Sequence, residues 1–437
     1  MRSRQHQIVL VLFGLVLVTI SYFTERSQSP VLLSQFSALF IGYLWLYRYA
    51  NEINDADIFK SAVAFRVLLI CAIPNLSEDV YRFIWDGHLW LNNIDAYQYL
   101  PSIVVEQMPT IVSSTLYNKL NSPNYFTIYP PLNQLLFLGA ALFKHTYLSI
   151  VFIKLFIVAA EVLSLVGLRK LLLNQVNSTK VFVIYAFNPL VILEMSGNLH
   201  FEAFVVCALI WTVVFFKQNK YLKSGLMMGL AIGFKILPII LLASFFRKLK
   251  LSQYVLWVSV AIGSAFISFL PLVQTHIFSG IQESAQLYFQ SFEFNASLYY
   301  FARYIGYQIY GYNIIQTAGP YIALTGIFLI VLYNVFIARN ILIWERMLFS
   351  WLIYCLFATT IHPWYIIPLL LFGAMSGYGF PILWSFLIFF TYLGYSTTGF
   401  TENLWITTFE YILVLAYAVF EISIKYIRNH DETINAS

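Results

Sequence analysis

Charge is what this sequence has least of. Only 10% of its 437 residues are Asp, Glu, Lys or Arg, against about a quarter in a soluble globular chain. A soluble protein of this length divides into two or three domains and covers each with a polar surface. This chain lacks the charge to do so, which excludes a soluble enzyme and a secreted module. Cysteine is also scarce. Cys71, Cys207 and Cys355 lie far apart, each inside an apolar run. That excludes a disulfide framework or a zinc spacing and leaves small buried hydrophobes as their reading. No long basic tract exists either, so the net charge of +5 is not a nucleic-acid footprint. The basic residues come instead in short clusters beside apolar runs, as topology signals do.

What is present is apolar. Hydrophobic residues make up 60% of the chain, aromatics 19%, and the mean hydropathy is +0.74. Segments of spanning or near-spanning length lie at about 8–23, 31–49, 60–75, 148–171, 180–196 and 199–216. Others follow at about 252–272, 314–338, 344–360, 363–377, 380–396 and 406–427. A span needs about 20 residues to cross about 30 Å of hydrocarbon. The pattern predicts an all-α, polytopic membrane protein with a bundle of about 11–13 transmembrane helices. Met1–Arg4 followed by Ile8–Phe23 has the look of a signal peptide without a small-x-small cleavage site, and reads as an uncleaved first helix.

Two pieces resist a simple crossing. Pro130–Phe143 is too short, and Tyr221–Phe246 is interrupted by Gly233, Lys235 and Pro238. Basic clusters fall at Arg2–Arg4, Arg48–Lys60, Arg169–Lys180, Lys217–Lys223, Arg247–Lys250, Arg339–Arg346 and Lys425–Arg428. All seven can lie in the cytoplasm if those two pieces return to the side they left. The layout makes 1–437 one integral membrane domain with both termini cytoplasmic. It divides into N-terminal spans (1–75), an external loop with an acidic motif and juxtamembrane helices (76–130), core spans (131–272), an external aromatic loop (273–312) and C-terminal spans (313–437). Long loops of this kind usually carry function.

The richest segment runs Ser77-Glu78-Asp79-Val80-Tyr81-Arg82-Phe83-Ile84-Trp85-Asp86-Gly87. On a helix Asp79, Arg82 and Asp86 share a face, with Tyr81, Trp85 and Trp90 interleaved. It is either a solvated interfacial strip or a site, because a charge near hydrocarbon is costly unless paired or used.

This stretch, with Asp95-Ala96-Tyr97 after it, resembles the first external loop of GT-C superfamily glycosyltransferases, closest to bacterial polyprenol-phosphate-mannose-dependent mannosyltransferases. Later segments are similar in the right order: Thr127-Ile128-Tyr129-Pro130-Pro131, Asn188-Pro189-Leu190, Gly197-Asn198-Leu199-His200-Phe201-Glu202, Lys235-Ile236-Leu237-Pro238, Phe294-Asn295-Ala296-Ser297 and His362-Pro363-Trp364-Tyr365. Two departures stand out. The relatives' Gly-His-Asn-Glu is spread into Gly-Asn-Leu-His-Phe-Glu, and Asn92-Asn93-Ile94-Asp95 replaces a Gly-x-Asn-Pro turn, which puts the acceptor preference in question.

The resemblance implies transfer of a hexosyl group, mannosyl first, from a polyprenyl-phosphate donor to a lipid or glycan acceptor. The expected place is the extracytoplasmic face of the bacterial inner membrane, with membrane lipids as partners and no nucleic acid. The chemistry there needs a carboxylate to take the acceptor's proton, with inversion in a single displacement, and positive charge for the leaving phosphate. Asp79 matches the family's acidic position and is the first choice of base; Glu78 is the second. Lys235, in mid-apolar sequence beside a break, is the expected phosphate ligand, with pairing to a buried Glu as the alternative. Arg82 is either a second cation or the orienter of Asp79 and Asp86. His362 has the same two readings, sugar or phosphate contact against a helix-start cap. Asp86, Tyr81, Trp85, Asn198, His200, Glu202, Asn295, Trp364 and Tyr365 complete the candidate set. No cofactor is firmly implied, and His200-x-Glu202 is too weak to argue a divalent metal. A lipid-linked glycan flippase or transporter and a polysaccharide polymerase or ligase are the rival readings. Coupling charges at mid-bilayer and internal repeats would mark a transporter; arginine-rich acceptor loops would mark a polymerase.

Overall fold

Apolar runs bounded by Pro, Ser, Asn or Gly become helices in the computed structural model, which describes residues 2–109, 113–173, 175–270, 276–279, 282–283, 292–338, 341–397 and 399–435. Local chemistry sets the boundaries. Helix α1 spans Arg2–Phe23, and α2 spans Ser29–Arg48 with a proline in its first turn, where the missing N–H is no loss. Helix α3, Asp55–Val67, is capped by the Asn54 side chain and carries Asp55 and Asp57 in its first turn. The all-α architecture is the one expected.

Six helices are long and apolar enough to cross a membrane, and a bent pair, Ser178–Ala186 with Pro189–Gly197 at 43°, makes up to seven. Tyr221–Phe234, Pro363–Ser376 and Phe380–Gly394 are apolar but shorter. The larger number of crossings read from the sequence therefore rests on short and broken helices as well as long ones.

Helix α4, Asp79–Leu91, carries the acidic motif and packs on α5, Pro131–Ala141. A Cβ on Gly87 would come within 2.6 Å of the Phe137 carbonyl carbon, so only glycine lets the two backbones meet. The long helix α6, Thr146–Leu172, runs antiparallel to α3 along three rungs. Arg169 lies over Phe59, Glu161 pairs with Arg66 at 2.8 Å, and Tyr147 donates to the Cys71 carbonyl at 3.2 Å. Lys154 on α6 donates to the carbonyls of Leu69, Ser196 and Gly197. These buried charges hold helices together, and Arg66 is the partner that makes burial of Glu161 tolerable.

Helix α7, Glu202–Lys217, is followed by α8, Tyr221–Phe234, which ends where Lys235 adopts extended backbone. The chain then turns back as the 3-10 segment Leu237–Phe245, whose Phe245 stacks on Trp257 and touches Phe216. Residues 221–246 are thus a broken hairpin that returns to the end it left. Helix α9, Leu251–Phe269, lies parallel to α8. Gly225 faces Trp257, Gly229 faces Ala261, and Gly233 faces Ser268. This stripe of small residues permits the close approach.

Three of the clustered basic residues and the acidic motif lie at opposite ends of the bundle. Arg169, Lys180 and Lys217 sit at the end where α6 and α7 finish, with Lys180 over Tyr47. Asp79, Glu202 and Lys235 sit at the other.

Candidate active site

The cleft is assembled from connections rather than helix middles. Asp79 is the first residue of α4 and Glu78 caps that helix, where negative charge suits the helix dipole. The Asp79 side chain is 22% exposed. Its Oδ1 accepts from the Asn121 amide at 2.8 Å, and its Oδ2 lies 4.0 Å from His200 Nε2. The charge of Asp79 helps to hold the hydroxyls of Tyr365 and Tyr395 above their usual range, after burial in both cases.

On the Tyr365 side, Glu202 opens α7 and forms an ion pair with Lys235. The ammonium of Lys235 also rests 3.9 Å from the Tyr365 ring centroid, a cation–π contact that partly replaces hydration. Of the two readings of Lys235, the structure shows the pairing with a buried Glu, with the lysine side chain itself 26% exposed. On the Tyr395 side, Arg26, from the link between α1 and α2, pairs with Glu78 at 2.9 Å and lies 4.2 Å from the Tyr395 ring centroid.

The back wall is a stack of rings. His200 stacks on Trp364 at 3.5 Å, and Trp364 on His362 at 4.5 Å. His362 in turn lies 4.7 Å from Phe294. Packing among these rings, then the charges of Lys235 and His200, push His362 down to about 3. It is a neutral imidazole, so it can offer a hydrogen bond but not a cation to a phosphate.

Of the two readings of Arg82, the structure shows the one that holds Asp86. It is buried and faces away from Asp79: Nε donates to Asp86 at 2.7 Å, and one terminal nitrogen donates to the carbonyls of Ser122 and Tyr125. Asp86, fully buried, also accepts from Thr127 and from Gln134. The pair ties the 122–129 stretch to α4, with both charges buried. Trp85 is buried beside Tyr117, and Tyr81 packs under Lys119. Asn198 staples the approach to α4 by accepting from Leu76 N–H and donating to the Leu193 carbonyl. Asn295 is buried behind Phe294 and donates to Glu410. These residues shape the site without lining it. Tyr288 and Phe289, expected in the aromatic loop, lie outside the described residues.

Sequence reading missed Arg26, Glu194, Asn121 and Tyr395. Arg26 had a signal, as a lone arginine in a short link set apart from every basic cluster. Glu194 had a weaker one, an acidic residue deep in an apolar run. Among the described residues no group of three His, Cys, Asp or Glu side chains is placed to hold a metal ion.

No curated protein and no solved structure matches this chain. The family model described as alpha-(1->6)-mannopyranosyltransferase, N-terminal domain, of the MptA/B family, matches residues 2–248. That stretch contains Asp79, Glu194, His200, Glu202 and Lys235, and ends before the ring wall of residues 362–400. With more than half its length matched, the chain belongs to the MptA/B mannosyltransferase family and is a membrane glycosyltransferase that moves mannosyl groups.

Proposed function

We propose that this enzyme transfers mannose from a polyprenyl-phosphate donor to a lipid or glycan acceptor by single displacement, at the extracytoplasmic face of a bacterial inner membrane. One observation carries the reading. Asp79, partly open, lies 4.0 Å from His200, two residues before the Glu202 that pairs with the Lys235 ammonium, at the end of the bundle opposite the clusters at Arg169–Lys180 and Lys217. The positive-inside rule puts that basic end in the cytoplasm, where it also puts both termini. Outside it no nucleotide sugar is supplied, so a lipid-linked sugar phosphate is the natural donor.

Asp79 takes the proton of the acceptor hydroxyl as its oxygen bonds to C1 of the sugar. The bond from C1 to the phosphate oxygen breaks, and polyprenyl phosphate leaves with the electron pair. Lys235 receives the charge that develops on that phosphate. A single displacement inverts C1. If the product is α, as the family description reads, the donor must be the β-linked mannosyl phosphate.

Asp79→Asn removes the base while keeping the amide able to meet Asn121 and His200. The expected result is a fall in transfer of about 10²–10⁴-fold in protein that still inserts, read with radiolabelled polyprenyl-phosphate mannose and an α-mannoside acceptor. Undiminished turnover would remove Asp79 as the base. Use of the α-linked donor at the rate of the β-linked one would remove the single displacement.

A further inference from the structure

Asn295 and Glu410 meet fully buried, and the transfer scheme uses neither. Asn295 has a left-handed backbone, with φ at 45°, which asparagine tolerates better than most residues. It is held from beyond residue 400. Its N–H donates to Glu402 Oε1 at 3.2 Å, its carbonyl accepts from Tyr411 at 2.8 Å, and its side-chain amide donates to Glu410 Oε1 at 3.1 Å. Glu410 and Tyr411 lie on the C-terminal helix Leu404–Asn435. The residue before Asn295 is pinned on another side. Phe294 N–H donates to the Thr359 carbonyl at 3.1 Å, and Ile361 N–H donates to the Phe294 carbonyl at 2.8 Å. That bridge leads straight into His362 and Trp364, the rings of the back wall.

Two carboxyl groups thus meet on one asparagine, and they are satisfied in opposite ways. Glu402 has donors on both oxygens: Asn295 N–H and Thr407 on Oε1, and Tyr300 on Oε2. An ionised carboxylate, which only accepts, needs that arrangement. Glu410 has both its donors on Oε1, the Asn295 amide and the Trp384 indole at 2.7 Å. Its Oε2 accepts nothing from the protein, and neither does Asn295 Oδ1. Among the described residues no Lys, Arg or His forms an ion pair with either carboxyl; Arg303, one turn beyond Tyr300, is held by Glu293. A buried carboxylate without a cation is costly, and so is each orphaned acceptor. The two hydrogen-bonded side chains are short of one donor between them. A proton on Glu410 supplies it.

We propose that Glu410 is a positioning residue that works as a neutral carboxylic acid: its Oε2–H donates to Asn295 Oδ1 while its Oε1 accepts from the same amide. A two-way pairing fixes the plane of the amide as well as its place, where a single bond to a carboxylate would let it turn over. The turn at Asn295 is then rigid, and Phe294 holds its station against His362 at the back of the cleft. Neutrality at Glu410 also spares Glu402 a like charge on the same asparagine. The inference goes beyond the transfer scheme and does not rest on which carboxylate is the base.

The test is infrared difference spectroscopy of the full-length chain in proteoliposomes at neutral pH, wild type against Glu410→Gln. Glutamine keeps the acceptor for Asn295 and Trp384 and puts an N–H where the acid has its O–H. The wild type should carry the carbonyl stretch of a protonated, hydrogen-bonded carboxyl that the variant lacks. A difference spectrum without that band overturns the proposal. Transfer is read beside it, with β-linked polyprenyl-phosphate mannose and an α-mannoside acceptor. Glu410→Ala, which leaves the amide and the indole unanswered, should lose about tenfold or more, and Glu410→Gln should recover to within about twofold of wild type. A Glu410→Gln as impaired as Glu410→Ala, or unable to fold, would mean that the site needs a charge, and overturns the proposal. Full transfer in Glu410→Ala would remove the positioning role. If Glu410→Ala does not fold, the band and the recovery in Glu410→Gln decide alone. The band depends on neither donor nor acceptor, so its absence refutes this inference and leaves the reading of Asp79 to its own variant.

Discussion

Asp79, Arg82 and Asp86 share a helix and a motif, yet they have separate fates. Asp79 stands at the open end with one amide on it, while Arg82 and Asp86 are closed off by Thr127, Gln134 and two carbonyls. Their loss should therefore read differently. Arg82→Ala strands a buried carboxylate and should cost about 3–5 kcal/mol, seen as a large fall in the melting temperature of purified protein. Lys235→Gln, which keeps a hydrogen-bond donor for the buried Glu202, should lower that temperature less than Arg82→Ala does, and should raise the donor KM and lower kcat. A donor KM equal to wild type would remove Lys235 from the phosphate subsite. The motif made the acidic and basic residue types legible, and the ordered segments made Glu202, His200 and Lys235 legible as a set. What each charge faces was not legible. A one-dimensional spacing cannot say that Arg82 spends its donors on a loop forty residues away, or that His362 is squeezed between rings until it sheds its proton.

At the level of elements, the broken hairpin 221–246 was readable, since Gly233, Lys235 and Pro238 announce an interruption that parity then requires. Its packing mechanism was less visible. The stripe Gly225, Gly229 and Gly233 brings α8 onto α9, and a Cβ at Gly229 would meet the Ala261 carbonyl oxygen at 2.5 Å. Gly229→Ala should then destabilise by about 1–3 kcal/mol through overpacking. Because α8 carries Lys235 at its tip, the same change should weaken donor use, whereas alanine at Gly263, which faces open space, should do neither. Equal stability of the two variants would show that the stripe does not set the helix spacing. The π-helical turn at Ile192–Gly197 had no readable signature, because its register depends on Lys154 reaching across from α6 to cap the Ser196 and Gly197 carbonyls.

For the whole molecule, the separation of basic residues from the acidic cleft is a statement about sidedness. Glu106 is exposed on the same external loop as the Asp79 motif. A cysteine placed there, in a background without Cys71, should react with an impermeant thiol reagent added to intact cells. Protection from outside, with labelling only after permeabilisation, would reverse the orientation proposed for the cleft. The all-α bundle followed from charge scarcity and apolar runs alone. The number of crossings did not, because short apolar helices such as Pro363–Ser376 are buried along most of their length among the other helices.

Arg26 gives the molecule a property tied to its order of synthesis. It leaves α1 near the start of the chain, yet the ring it covers belongs to Tyr395, on the short hairpin Tyr395–Phe400. The ring wall behind Asp79 is likewise supplied by residues 362–365. The acidic motif is thus inserted some three hundred residues before its surroundings exist. A nascent or truncated chain ending near residue 248 holds Asp79 and Lys235 but none of the ring wall, so on the function proposed here the enzyme becomes competent only when its last helices dock.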